Sequence, residues 1–390
     1  MTVEQIYALM NNVTDEILGK DADGNSVSVL QEDLQNVVDV GTQILNATAF
    51  DNYVRTLVNH IGRVIFVNRP YSGNIPSVLM DSWEFGSIME KISAELPDAT
   101  ANESWELTDG ASYDPNIFYK PTVSAKFYNK RVTFEVPVSI TERQVRESFS
   151  NASQLNGFIS MIYNAVDKSM TVKIDSLVMR TINSMIGETI KADYGSSLLS
   201  STSGIKAVNL LYLYNQKFTK SLTASDALTD PDFIRFASYE MGMYQSRLTK
   251  LSRLFNIEGK DRFTPTDLLH VVMLADFKKA CAVYLESDVF HNSLVALPGA
   301  EEVPYWQGSG ASYAFSDVSK INIVTPSGDS VEASGILCVM FDRDTLGVCC
   351  QDRRVTTNYN PKAEFTNSWF KFDCGLFADK AEQFVVFFVA

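Results

Sequence analysis

The sequence predicts an α+β fold, and three observations carry that prediction. Ser153 to Ile190 keeps apolar residues at helical spacing for far longer than an ordinary helix. Val123 to Ile140 alternates apolar and polar residues at a period of two. Leu268 to Leu274, Ile321 to Val324, Gly335 to Phe341 and Gln383 to Val389 are short apolar runs punctuated by glycine and proline, which reads as buried strand. With 390 residues the chain can bury a substantial core divided over roughly two or three domains.

The first segment reads as an arm. Val3, Ile6, Tyr7 and Met10 recur at helical spacing until the polar run Asp21 to Ser26, and Leu34, Val37, Val38, Ile44 and Leu45 mark a second helix. Val54, Leu57, Ile61 and Val64 mark another, ending before Asn68, Pro70 and Gly73. These faces are too few to enclose a core alone, so they pack either on the body of the same subunit or on a neighbour.

Between Lys91 and Glu135 the charges segregate. Glu95, Asp98, Glu103, Glu106, Asp109 and Asp114 follow one another with no base among them; then come Lys120, Lys126, Lys130 and Arg131 with no acid until Glu135. The returning limb alternates, with Val123, Ala125 and Phe127 on one face and Val132, Phe134, Val136, Val138 and Ile140 in the opposite parity after Asn129, where a bulge or bend is expected. Ile88 to Leu96 can pair with it, leaving residues 97–116 as the tip of a long hairpin. So long a polar tip is uncommon in a compact domain without a partner. Trp105, Tyr113, Phe118 and Tyr119 lie in or beside it, and aromatic residues are favoured at interfaces.

The helical stripe that follows comprises Leu155, Phe158, Ile159, Ile162, Val166, Met170, Ile174, Leu177, Val178, Ile182, Met185 and Ile186, with no proline. At the rise of an α-helix it spans on the order of 50 Å, and Gly187 or the Tyr194–Gly195 turn ends it. A Ser-rich link, an apolar run at Val208 to Tyr214, a helix over Asp230 to Leu254 and a short helix at Ala275 to Tyr284 complete a mixed α/β region.

Composition narrows the function. A net charge of −14, spread along the chain, argues against a surface that grips phosphates by releasing counterions. Met1 to Lys20 lacks the basic and apolar segments of a signal peptide, and no apolar run is long enough to span a membrane. Five cysteines in such a chain read as reduced thiols, which places the expected compartment in the cytoplasm.

No catalytic or metal signature emerges. The three histidines, His60, His270 and His291, form no HxxxH, HExxH or HxH spacing, and His270 reads as a hydrogen-bonded core residue. Cys349 and Cys350 are adjacent, so in a strand they point to opposite faces. Neither a phosphate-binding glycine loop nor GxSxG occurs; Gly308, Ser309 and Gly310 lack the third glycine. Neither a cofactor nor a metal is expected, nor an enzyme.

The order of these segments resembles the tailed-phage major capsid proteins of the Hong Kong 97 type. The resemblance runs from the helical arm through KPTVSAKFYNKRVTFEVPVSIT and SFSNASQLNGFISMIYNAVDKSM to GILCVMFDRDTLGV and NPKAEFTNSWFKFDCGLFADKAEQFVVFF, and so covers nearly the whole chain. It implies a Hong Kong 97-type capsid fold with an N-arm at 1–70, a lead into the P-domain at 71–90 and an extended E-loop hairpin at 91–135. A P-domain with a long spine helix follows at 136–200, then an A-domain at 201–333 and a return to the P-domain at 334–390. The function so implied is an icosahedral shell around double-stranded DNA, built from hexamers and pentamers of this chain in the host cytoplasm. Scaffolding, portal and decoration proteins are the implied partners, and packaged DNA meets only weak nonspecific contact. The subunit interface falls on Glu103, Trp105, Glu106, Asp109, Tyr113, Lys120, Lys126, Lys130 and Arg131, with acidic tip and basic stem meeting opposite charges on adjacent subunits. An encapsulin-like compartment enclosing cargo enzymes would keep the fold and change the contents. A cofactor-free enzyme of unrelated fold is the alternative from another class.

Overall fold

The computed structural model describes residues 75–80, 89–97, 108–148, 152–195, 201–286, 300–307, 313–325 and 328–390, with the single positions 11 and 99. The arm expected over 1–70 lies, but for position 11, outside the described residues. In chain order the elements are β1 (Met89–Ala94), β2 (Val123–Tyr128), β3 (Arg131–Thr141), α1 (Glu142–Ser148), α2 (Ala152–Tyr194), β4 (Ala207–Asn209), α3 (Leu210–Phe218) and α4 (Pro231–Leu248). They continue with β5 (Leu269–Leu274), α5 (Ala275–Glu286), β6 (Glu301–Val303), α6 (Phe315–Val318), β7 (Ile321–Val324), β8 (Ser330–Ala333), β9 (Ile336–Asp342), β10 (Leu346–Asn360), β11 (Phe365–Ala378) and β12 (Phe384–Phe388). The chain divides into two compact units, one holding Arg131–Val178 and Val348–Gly375, the other Ser77–Lys130, Met179–Gly347 and Leu376–Ala390.

In the first unit β3 pairs antiparallel with β11, from Phe365 opposite Thr141 to Gly375 opposite Arg131, and β10 flanks β11. β3 turns Val132, Phe134, Val136, Val138 and Ile140 to its more buried side, which is the parity expected after Asn129. Phe134 rests on Phe372 with ring centroids 5.3 Å apart. The β10–β11 hairpin was not evident from hydrophobic alternation, because Thr366 and Ser368 fill buried positions on β11. Its turn is locally encoded. Asn360 Oδ1 accepts from the amides of Lys362 at 3.0 Å and Ala363 at 3.3 Å, and Glu364 takes a left-handed φ of 50°.

Every apolar residue of the predicted stripe on α2 is buried. Beyond Val178, where the helix enters the second unit, burial extends round most of its circumference and takes in Thr181, Asn183, Glu188 and Thr189. Asn183 Nδ2 donates to the Trp306 carbonyl at 2.7 Å, and Thr189 Oγ1 to the Met185 carbonyl at 2.8 Å. Gly187 does not end the helix. A Cβ there would meet Ile323 Cδ1 at 2.5 Å, so the glycine lets the Ile323 side chain of β7 pack against the helix without shifting, at a helix-propensity cost of about 1 kcal/mol. The end comes at Gly195, whose φ of +58° and amide bond to the Lys191 carbonyl at 2.8 Å form a left-handed cap.

The second unit is built on a five-stranded sheet of order β4-β12-β9-β5-β6. β9 and β12 are buried at every position, which explains their unbroken apolar sequences ILCVMF and FVVFF. On one face Val271, Met273, Cys338, Met340, Val385 and Phe387 pack with Tyr214, Phe233, Phe236, Met241 and Tyr244 of α3 and α4. Phe388 meets Tyr194 of α2 edge-on, at 5.8 Å. Asp230 caps α4, accepting from the amides of Asp232 at 2.8 Å and Phe233 at 3.1 Å, with Pro231 at the first helical position. This helix stops at Leu248, short of the expected Leu254, because Ser252 forms a bridge to Arg262 and Arg253 clasps Asp261 through two hydrogen bonds. His270 lies on β5 with its Nε2 buried and, among the described residues, without a hydrogen-bond partner, unlike the satisfied core histidine expected, and burial holds its pKa below the ordinary value.

Candidate functional site

The hairpin of β1 and β2 is the segment where the sequence concentrates its unusual features. The strands pair antiparallel from Met89 opposite Tyr128 to Ala94 opposite Val123, and in place of one long strand bent near Asn129 the chain breaks there, so that β2 and β3 belong to different sheets. Its faces are inverted relative to an ordinary surface hairpin. Ile92, Ala94, Val123, Ala125 and Phe127, with Glu90, face solvent, while Lys91, Ser93, Ser124 and Lys126 turn inward with Met89 and Tyr128. Ile92 is 66% exposed, Val123 56% and Phe127 63%.

Charge holds the inward face. Lys91 Nζ lies 2.9 Å from Asp379 Oδ2 and 2.8 Å from Glu382 Oε1, and donates to the Asp344 carbonyl at 3.2 Å. Lys126 Nζ lies 2.8 Å from Asp379 Oδ1 and 2.7 Å from both Glu258 oxygens. Arg262 Nε donates to Glu382 Oε1 at 3.1 Å, Lys260 pairs with Glu95, and Tyr128 packs on Phe377 with centroids 5.5 Å apart. Burial alone would raise the Asp379 carboxyl, but hydrogen bonds from Lys126, Lys91 and the Ala381 amide overcome it and hold the pKa down at about 2. Burial likewise works against the charge on Lys126, and its bonds to Asp379 and Glu258 raise it above the ordinary lysine range.

An unfolded aspartate titrates at about 3.9. The stabilisation from Asp379 is therefore complete above that value and is lost as pH falls through its folded pKa of about 2. The stability gap between the wild-type monomer and Asp379→Asn is expected to narrow by about 2 kcal/mol between roughly pH 5 and pH 2, read from urea unfolding midpoints. A constant gap over that range contradicts this account.

Of the interface residues expected from sequence, Glu103, Trp105 and Glu106 lie outside the described residues. Every described residue from Thr108 to Val123 is exposed, Asp109, Tyr113 and Lys120 among them, and Lys130 and Arg131 are exposed as well. The Tyr113 hydroxyl accepts from the Thr108 amide at 3.1 Å, while Phe118 and Tyr119 are 83% and 82% exposed. Lys126 is engaged by acids of its own chain. Sequence reasoning did not find Asp379, Glu258 or Glu382, whose distance along the chain gives no local signal.

Among the described residues no cluster of His, Cys, Asp or Glu is placed to hold a metal ion, and no helix is long and apolar enough to cross a membrane. Cys281 and Cys338 are free thiols, and burial pushes the Cys281 thiol up to about 11.

The chain is similar to the capsid of Staphylococcus phage Andhra, with 8% identity, 82% of this chain and 84% of that one covered, and a TM-score of 0.51. It also matches the mature capsid of bacteriophage PhiM1, with 10% identity, 83% and 87% coverage and a TM-score of 0.41. No curated protein matches the chain. At these identities the Andhra likeness speaks for the fold, which is the Hong Kong 97-type capsid fold. Residues 11–388 match the family described as Phi29-like phage major capsid protein. Spanned almost from end to end by that family and folded as a capsid subunit, the chain belongs to the Phi29-like phage major capsid proteins and has their structural role in the phage head.

Proposed function

We propose that this chain builds the icosahedral head shell of a tailed phage around double-stranded DNA and catalyses no reaction of its own. The outward apolar face of the β1–β2 hairpin carries the reading. A lone subunit leaves Ile92, Val123 and Phe127 in water, and burying a large apolar side chain contributes roughly 1.5–3 kcal/mol. A second copy of the chain covers this face.

In this reading residues 91–135 form the E-loop, 1–70 the N-arm, 71–90 and 136–200 the P-domain with its spine helix, 201–333 the A-domain and 334–390 the return. Glu103, Trp105, Glu106, Asp109, Tyr113, Lys120, Lys130 and Arg131 meet neighbouring subunits in hexamers and pentamers, while Lys126 anchors the loop. Assembly proceeds in the host cytoplasm with scaffolding, portal and decoration proteins. A net charge of −14 keeps contact with packaged DNA weak and nonspecific.

Ile92→Ser combined with Phe127→Ser tests the interface. The expected product is a monomer with wild-type circular dichroism that forms no shells under negative-stain microscopy. Normal shells from this variant overturn the reading.

A further inference from the structure

Lys91 and Lys126 are register partners across β1 and β2, and like charges set directly opposite destabilise a hairpin. Their side chains are only 18% and 31% exposed, so water screens them poorly. On its own, the ribbon is frustrated at this rung. The structure relieves the frustration with one carboxylate. Asp379, with 2% of its side chain exposed, places Oδ2 2.9 Å from Lys91 and Oδ1 2.8 Å from Lys126.

That carboxylate is itself fixed. Asp379 closes β11 onto the turn before β12, its amide donates to the Thr345 carbonyl at 2.8 Å, and its Oδ1 accepts from the Ala381 amide at 3.0 Å. Glu382 and Glu258 supply each lysine with a further acid, and Arg262 completes the set. The rung is thus tied to the turn that feeds β12, which lies between β4 and β9 in the five-stranded sheet. Apolar residues take little part in the tie, because the hairpin presents most of them outward.

We propose that Asp379 is a positioning residue for assembly: by bridging Lys91 and Lys126 it fixes the pitch of the hairpin against its own unit, and so sets the angle at which one subunit meets the next. The proposal rests on the reading that a second copy covers the outward face.

The test compares wild-type protein, Asp379→Asn, and Asp379→Asn combined with Lys91→Met and Lys126→Met. In monomeric Asp379→Asn, amides of 89–94 and 123–128 are expected to exchange hydrogen at least about tenfold faster, with β9 and β12 unchanged. Its shells should lose their single diameter and include unclosed sheets in electron micrographs. The triple variant removes the like-charge clash together with the bridge, so hairpin exchange should return to within about threefold of wild type. A structural residue with no positioning role would not be rescued by deleting the lysines.

Wild-type exchange and a single wild-type diameter in Asp379→Asn overturn the proposal, as does acceleration that spreads equally to β9 and β12. Where Asp379→Asn does not fold, Lys126→Met, at a partly exposed site, removes the like-charge clash and only half of the bridge, so hairpin exchange is expected within about threefold of wild type, and tenfold acceleration confined to the hairpin overturns the proposal. The two readings fail separately. Normal shells from the Ile92→Ser and Phe127→Ser variant remove the covering neighbour, while hairpin exchange in the monomer still decides the bridge.

Discussion

Gly335→Ala is expected to be recovered mainly as insoluble protein, with its second unit destabilised by more than about 3 kcal/mol. Gly335 holds a φ of +77° at the entrance to β9, and a Cβ there would fall onto the carbonyl of Val389, well inside van der Waals contact. Left-handed backbone costs a side chain about 1–2 kcal/mol by itself, and the collision adds to it. Relief by movement is blocked on both sides. The Val389 amide donates to the Gly335 carbonyl at 2.9 Å, and the Gly335 amide donates to Ser319 Oγ at 3.0 Å. Gly110 provides the control, since its φ of +83° is similar but a Cβ there meets nothing within 4 Å. Gly110→Ala should remain soluble and lose only about 1–2 kcal/mol. Soluble fraction and urea midpoint measure both, and equal losses at the two positions contradict the collision argument.

Trp306→Ala is expected to lower stability by about 3–5 kcal/mol. The side chain is 1% exposed, and its Nε1–H donates to the Ile336 carbonyl at 2.9 Å. Truncation leaves a large cavity beside β9. It also strips a partner from a buried carbonyl, a loss with its own cost of about 1–3 kcal/mol that overlaps the first figure. Trp306→Phe retains most of the volume and none of the hydrogen bond, so it should fall between wild type and Trp306→Ala in denaturant unfolding. If Trp306→Phe is as stable as wild type, the hydrogen bond contributes nothing.

Where burial follows a simple period, the sequence was readable. The apolar stripe of α2, the parity of β3 and the unbroken runs of β9 and β12 appear in the structure as the spacing of their residues implies. Alternation told which residues of β2 share a face but not which face turns inward, because that choice depends on charges elsewhere in the chain. Lys126 reads as part of a basic stem until Glu258 and Asp379 are brought to it. β10 and β11 were obscured by buried Thr366 and Ser368. Gly187 looked like a helix end because the approach of Ile323, the reason for the glycine, is a tertiary contact.

The sheet order also bears on when a subunit becomes ready. β12 lies between β4 and β9, though it follows both along the chain. While the ribosome is still making the preceding strands, the place between them stays vacant and β4 lacks its only described neighbour in the sheet. The sheet of the second unit therefore closes only once every other described strand has been made, so a copy truncated before Phe384 cannot complete it.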